Sequence, residues 1–168
     1  VARGRTSTMS DSHPDPGDAP HVVGHVHLKV RDVDRAVEFY RSVLGLDVTE
    51  RHGQFAFLTF GDRHHDVALQ GVGEDAAPPG GGVGLYHTAF EVETESALGA
   101  VYERLNERDV PVSPGDHCIS RALYFDDPDG NGVEVYLDTR ADRDQYEWEG
   151  VNRRFDPAAI ESESAGDE

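Results

Sequence analysis

Cysteine, lysine and long apolar runs are what this sequence has least of. One cysteine, Cys118, stands among 168 residues, which excludes an internal disulfide and any cysteine-rich metal cluster. Of the 15 Lys+Arg residues only Lys29 is a lysine. No apolar run approaches the roughly 18 residues that a membrane span needs, and no apolar segment of the signal-peptide kind is visible. A cytoplasmic protein is the expectation. Positive charge is also scarce against the 33 Asp+Glu, which leave a formal net charge of -18. Such a surface repels phosphate backbones and anionic lipid, so neither nucleic acid nor membrane is an expected partner. The acids run along the whole chain instead of forming one tail. With lysine nearly absent, this composition resembles that of cytoplasmic proteins from salt-loving organisms, where salt shortens the reach of charge to about 3 Å at 1 M.

What is there is enough for a folded core: 37% hydrophobic and 29% charged residues describe a soluble globule of one domain, or two small fused modules. Residues 1–20 are rich in Pro, Asp, Ser and Gly without apolar periodicity and read as a disordered leader. Residues 141–168 read as a C-terminal extension, solvated and acidic from 156 onward. Between them two similar units emerge. In the first, 21–72, a strand ends at Val30, Asp32 caps a helix with an apolar line of Val33, Val37, Tyr40 and Leu44, and Gly45 stops it. Strands follow at Leu46–Arg51, Phe55–Phe60 and Asp66–Gln70. A Gly/Pro linker covers 73–84. The second unit, 85–140, repeats the order: a strand Leu85–Val92, a helix capped by Thr94 with Leu98, Val101, Tyr102 and Leu105 along one line, then strands at Val110–Val112, Ala122–Phe125 and Gly132–Leu137. The last two are joined by Asp127-Pro128-Asp129-Gly130-Asn131-Gly132, a strong turn signal. Tyr40 follows His25, and Tyr102 follows His87, at one separation of 15 residues, and a single offset of 62 relates the copies. Leu28 and Val30 map onto Phe90 and Val92 at that offset. A duplicated βαβββ unit explains this better than chance.

The repeat singles out histidines. His25 and His87 start the first strands of their units, so a pseudo-twofold packing of the units brings them together. Glu134 lies between Val133 and Val135. It points to solvent, or, if its face is the inner one, it needs a cation or a partner. Two imidazoles and a carboxylate form the facial triad of non-haem Fe(II), and Mn, Zn or Ni also accept such ligands.

The segment GHVHLKVRDVDRAVEFYRSVLG (24–45), with LYHTAFEV and YFDDPDGNGVEVY, resembles the vicinal oxygen chelate superfamily, which includes glyoxalase I, bleomycin-resistance proteins and extradiol dioxygenases. The resemblance covers residues 22–150. It implies an α+β fold of two βαβββ modules forming a partly open, U-shaped mixed β-barrel around one metal. It places the metal on His25, His87 and Glu134; His27, two residues on, is the rival to His25. Glyoxalase I-like enzymes add a second carboxylate from the last strand of the first module. Matching Val67-Ala68-Leu69 to Val133-Glu134-Val135 puts Ala68 there, and alanine binds no metal. His65-Asp66-Val67-Ala68 resembles the HDVA segment of catechol 2,3-dioxygenases, whose His is an acid/base. Tyr124, ten residues before Glu134, sits at the spacing of a substrate-touching tyrosine in those enzymes, and His117 matches a substrate-binding His upstream of it. The expected catalytic residues are thus His65, His117 and Tyr124. The implied activity is Fe(II)-dependent extradiol ring cleavage of a catechol-like substrate by O2. The rivals are a glyoxalase I-like lyase or isomerase, a non-enzymatic drug-sequestering protein, and another reaction on the same triad. A homodimer or higher homo-oligomer is a further family expectation. Cys118 beside His117 is discounted as a nucleophile pair, because neighbouring strand residues face opposite ways. Gln145–Trp148 returns either as a lid or as an interface segment.

Overall fold

The computed structural model describes residues 17–160; most of the expected leader and residues 161–168 of the acidic tail lie outside the described residues. The first unit consists of β1 (Val26–Val30), α1 (Val33–Leu44), β2 (Asp47–His52), β3 (Phe55–Thr59) and β4 (Val67–Gly71). The second consists of β5 (Thr88–Val92), α2 (Glu95–Asn106), β6 (Ser113–Asp116), β7 (Ser120–Asp126) and β8 (Gly132–Asp138), and is followed by a short α3 (Arg140–Arg143). Each unit folds into a four-stranded mixed sheet, ordered β1-β4-β3-β2 and β5-β8-β7-β6. In each, the first strand lies parallel to the last and the remaining pairs are antiparallel. The sheets do not close into a barrel.

Local chemistry sets the element ends. Asp32 Oδ1 accepts from the Arg35 amide at 2.9 Å to start α1, and Gly45 at φ 76° ends it in the left-handed conformation. Thr94 Oγ1 caps α2 through the Ala97 amide at 3.1 Å. The strand expected at Val110–Val112 is a correction: Val110 and Val112 pack against the core from a loop, and the edge strand is the next four residues, Ser-Pro-Gly-Asp. Pro114 is tolerated there because β6 is the sheet's edge.

Register settles which residues are equivalent. Ala68 of β4 pairs with His27 of β1, and Glu134 of β8 pairs with Ala89 of β5; His27 and Ala89 are one repeat apart, so Ala68 does occupy the position of Glu134. A single apolar core joins both units. Leu28, Val30, Tyr40 and Val43 from the first lie in one cluster with Leu98, Leu105, Val133 and Val135 from the second. The helices pack on one another, and Arg104 Nε donates to the Val43 carbonyl at 2.8 Å across that contact. The Asp127–Gly132 turn locks the units together further. Tyr40, fully buried, donates its hydroxyl to Asp127 Oδ2 at 3.2 Å, and Asp129 Oδ1 receives Arg31 at 3.1 Å and Arg35 at 2.8 Å.

The C-terminal segment also differs from its expected solvated state. Arg153 forms an antiparallel bridge to Asp116, both hydrogen bonds being 2.8 Å. Pro157 and Ile160 are buried, with Ile160 set against Gly99, where a Cβ would lie 3.0 Å from its Cγ2.

Candidate metal and substrate site

On each sheet, alternation sends one set of side chains to the core and the other to the open face. Leu28 and Val30 are buried while His25, His27 and Lys29 are exposed. In the second unit Val133 and Val135 are buried, and Glu134 and Tyr136 take the other face. The candidate residues therefore lie on the faces turned away from the shared core.

The second-unit face carries a connected polar chain. His87 immediately precedes β5, opposite the start of β8. A Cβ at Gly132 would lie 2.5 Å from the Tyr86 carbonyl oxygen, so glycine is what lets the backbone carrying His87 come this close. His87 Nε2 then stands 2.9 Å from Glu134 Oε2, with the glutamate side chain 12% exposed. Tyr124, the register partner of Glu134 on β7, donates its hydroxyl to Glu134 Oε1 at 2.8 Å. His117 Nε2 is 2.8 Å from the same hydroxyl. Gly115 makes room for that ring: a Cβ there would lie 3.2 Å from His117 Nε2. Burial first, then the hydrogen bond and charge of Glu134, raise the Tyr124 phenol far above its ordinary range, so it remains a neutral donor. His87, His117 and Tyr124 line an open cleft of about 680 Å³ together with Tyr86, Val112 and Asn152.

The first-unit face carries a second group. His25 and His65, preceding the parallel strands β1 and β4, have ring centroids 4.5 Å apart. His65 also meets Phe57 at 5.1 Å, and its Nδ1 lies 3.0 Å from His64 Nδ1. Burial first, then the neighbouring His25 and His64, lower the His65 pKa, which favours the neutral ring. His27 meets Phe55 edge-on at 6.1 Å.

Of the expected residues, then, His87, Glu134, Tyr124 and His117 come together, and His25 comes together with His65. The meeting of His25 with His87 and Glu134 is not found within the chain: among the described residues no three His, Cys, Asp or Glu side chains stand as a metal-holding group. Within the chain α1 packs on α2 in one core shared by both units, and the His87–Glu134 and His25–His65 groups stand on the faces turned away from it. Cys118 needs a different account from the one expected. It is not on a strand but in the β6–β7 turn at φ 69°, with its amide donating to Asp116 Oδ1 at 2.9 Å. Residues not singled out from sequence are Asn152, whose Oδ1 lies 2.6 Å from His117 Nδ1, and Arg143, which grips Asp116 at 2.7 and 2.8 Å. Arg143 closes the short α3 and Asn152 lies in the irregular stretch after it, and neither stretch carries a periodic signal in the sequence.

The donor set of the second-unit face fits a divalent cation in part. An imidazole nitrogen and a carboxylate oxygen 2.9 Å apart have the spacing of two adjacent positions on one ion with bonds of about 2.1 Å. A third ligand must come from elsewhere.

Two βαβββ units with this strand order, a histidine before each first strand and a glutamate on the last strand define a paired-module chelate fold. The chain belongs to the glyoxalase/bleomycin resistance protein/dioxygenase superfamily, whose model matches residues 22–135. It is 33% identical to the catechol-2,3-dioxygenase of Bacillus subtilis (strain 168) over 97% of this chain and 55% of that protein, so it spans about half that relative's length. It is 32% identical to biphenyl-2,3-diol 1,2-dioxygenase 3 of Rhodococcus globerulus, over 82% of this chain and 79% of that one. The metallothiol transferase FosB of Staphylococcus saprophyticus is 28% identical over 79% of this chain and 88% of its own. Among solved structures, a glyoxalase/dioxygenase from Nostoc punctiforme matches the fold with TM-score 0.63 at 24% identity, over 76% of this chain and 97% of that one. A lactoylglutathione lyase from Agrobacterium tumefaciens gives 0.55 at 26% identity, over 70% and 94%.

Proposed function

We propose that the protein is a metal-dependent extradiol dioxygenase acting on a catechol-like diol, with each site built from two copies of the chain. The observation that carries the reading is the His87–Glu134–Tyr124–His117 chain, together with a first unit whose equivalent of Glu134 is Ala68. The metal ligands are His87 and Glu134 of one copy and His25 of another, Fe(II) being the preferred ion and Mn, Zn or Ni the alternatives. A homodimer would supply His25 from a second copy, which the absence of a three-ligand group among the described residues supports. Exposed apolar residues, Tyr86 beside His87 and Leu85 next to it in the chain, are suited to being covered by the second copy.

Fe(II), when bound, supplies the Lewis acidity that ionises one of two vicinal hydroxyls and the redox partner that O2 requires. The protein's own groups do the rest. Tyr124 holds a substrate hydroxyl as a neutral donor, and His117 orients the same edge of the ring. His65, kept neutral by burial and by its neighbouring imidazoles, receives and returns a proton from the opposite wall. Ala68 leaves a position that a second carboxylate would fill, which favours a bulky chelating substrate over the lyase or isomerase reading. The donor set argues against a sequestering protein with no metal. Likeness to a metallothiol transferase supports one second reading, in which the same triad serves group transfer to a small electrophile.

The test is anaerobic reconstitution with Fe(II) in molar salt, followed by O2 uptake and a yellow ring-fission product on a panel of catechols. Turnover that requires Fe(II) and is lost in Glu134→Ala supports the proposal. Stoichiometric metal with no turnover on any diol overturns the dioxygenase reading and leaves the metal site standing.

A further inference from the structure

The segment after α3 has no role in the reading above beyond following the second unit, yet it touches the cleft at one point. Asn152 Oδ1 lies 2.6 Å from His117 Nδ1. With the Asn152 oxygen turned to the ring, the contact places the hydrogen on Nδ1, because an amide oxygen only accepts hydrogen bonds. With Nδ1–H fixed, the neutral ring presents the lone pair of Nε2 to the Tyr124 hydroxyl 2.8 Å away. The single hydroxyl hydrogen of Tyr124 then serves one acceptor at a time, Glu134 Oε1 or His117 Nε2, each 2.8 Å away. In a histidine the nitrogen that carries the hydrogen is set by the partner of the other one, and here that partner is supplied from outside both βαβββ units.

The placement of Asn152 is built. Its neighbour Arg153 exchanges two backbone hydrogen bonds of 2.8 Å with Asp116, the residue before His117. Asp116 is in turn gripped by Arg143 at 2.7 and 2.8 Å. Phe155 lies under the Arg121 guanidinium at 5.6 Å, and buried Ile160 anchors the end against α2. Four contacts, spread over the segment, thus hold Asn152 and the His117 turn as one body, and Gly115 leaves the ring its place.

We infer that Asn152 is a positioning residue, which holds His117 in the Nδ1–H form so that Nε2 faces Tyr124 as an acceptor. The C-terminal segment is then a strap that sets the hydrogen-bond polarity of the cleft. This deepens the proposed function, and its use in turnover rests on that reading, but the tautomer itself does not.

The test is a long-range ¹H–¹⁵N correlation spectrum of the imidazole rings in the full-length, metal-free protein in molar salt, above the pH at which the rings are charged. His117→Gln identifies the His117 signals. The expected result is a protonated Nδ1 and an unprotonated Nε2 for His117. Asn152→Asp, which keeps an acceptor in place, retains that pattern. Asn152→Leu, which removes it, shifts the hydrogen to Nε2 or averages the two forms, while the Arg153–Asp116 amide signals stay protected from exchange. A wild-type His117 protonated on Nε2 overturns the inference, and so does a pattern unchanged in Asn152→Leu. If the tautomer is as expected and no diol is turned over, the proposed function fails and the positioning role stands.

Discussion

Replacing Asp127 by alanine removes the residue that holds the two units in register. Its side chain is almost wholly buried and accepts four hydrogen bonds: Oδ1 from the Asp129 and Asn131 amides at 2.9 Å each, Oδ2 from Asn131 Nδ2 at 2.9 Å and from the Tyr40 hydroxyl at 3.2 Å. Alanine leaves two backbone amides, a side-chain amide and a phenol without their acceptor. Each orphaned buried donor costs about 1–3 kcal/mol. Water entering at the turn restores some of them, so the expected loss is about 3–5 kcal/mol, in the range found when one partner of a buried charged pair is deleted. For a chain of this size that is a fall in Tm of roughly 6–20 °C. Tyr40→Phe makes the contrast, because Asp127 Oδ2 keeps Asn131 and only the phenol is lost; its cost is about 1 kcal/mol. The assay is urea unfolding followed by intrinsic fluorescence at one fixed protein concentration, since the stability of the proposed dimer depends on concentration. The reasoning is refuted if Asp127→Ala costs less than Tyr40→Phe.

Two other perturbations test the electrostatics. Arg143 hydrogen bonds, with help from the Cys118 amide and Arg121, hold the Asp116 carboxyl well below the usual carboxylate range. A pKa depressed on folding adds stability above the unfolded value near 3.9 and loses it as pH falls toward the folded one. Asp116→Asn is therefore less stable at neutral pH by about 1.5–3 kcal/mol, and its stability falls less steeply than wild type below pH 4, as read from Tm against pH. Separately, a net charge of -18 repels itself across the surface. Raising KCl from about 0.1 M to 1 M shortens the Debye length from roughly 10 Å to 3 Å, so Tm rises with salt, and by more than in a variant with several surface acids replaced by Gln or Asn.

What could be read from the sequence, and what could not, divides along local and long-range physics. The duplicated βαβββ order was legible because strand alternation, helix periodicity, the Asp32 and Thr94 caps and the Gly45 stop are local signals. The equivalence of Ala68 and Glu134 was legible for the same reason, and the two parallel registers bear it out. β6 was not legible, because Ser-Pro-Gly-Asp carries no strand chemistry and is extended only by pairing with β7 and Arg153. Asn152 and Arg143 are invisible for a related reason: each acts across a distance in the chain through one hydrogen-bonding group. The pairing of His25 with His87 was inferred from the repeat and from the family resemblance. That inference did not anticipate a core shared through α1 and α2, with no group of three metal-ligating side chains assembled among the described residues.

The proposed sharing of the metal site between copies makes it testable without knowledge of the substrate. His25→Ala and Glu134→Ala are prepared separately, then mixed under conditions that exchange subunits, and Mn(II) bound per chain is counted by titration calorimetry. A site shared between copies predicts that neither variant alone binds at the wild-type stoichiometry. The mixture recovers about a quarter of it, because random pairing puts half of the chains in mixed twofold dimers with one intact site each. A mixture that binds no more than its parents, or a His25→Ala variant that binds as wild type does, contradicts the account.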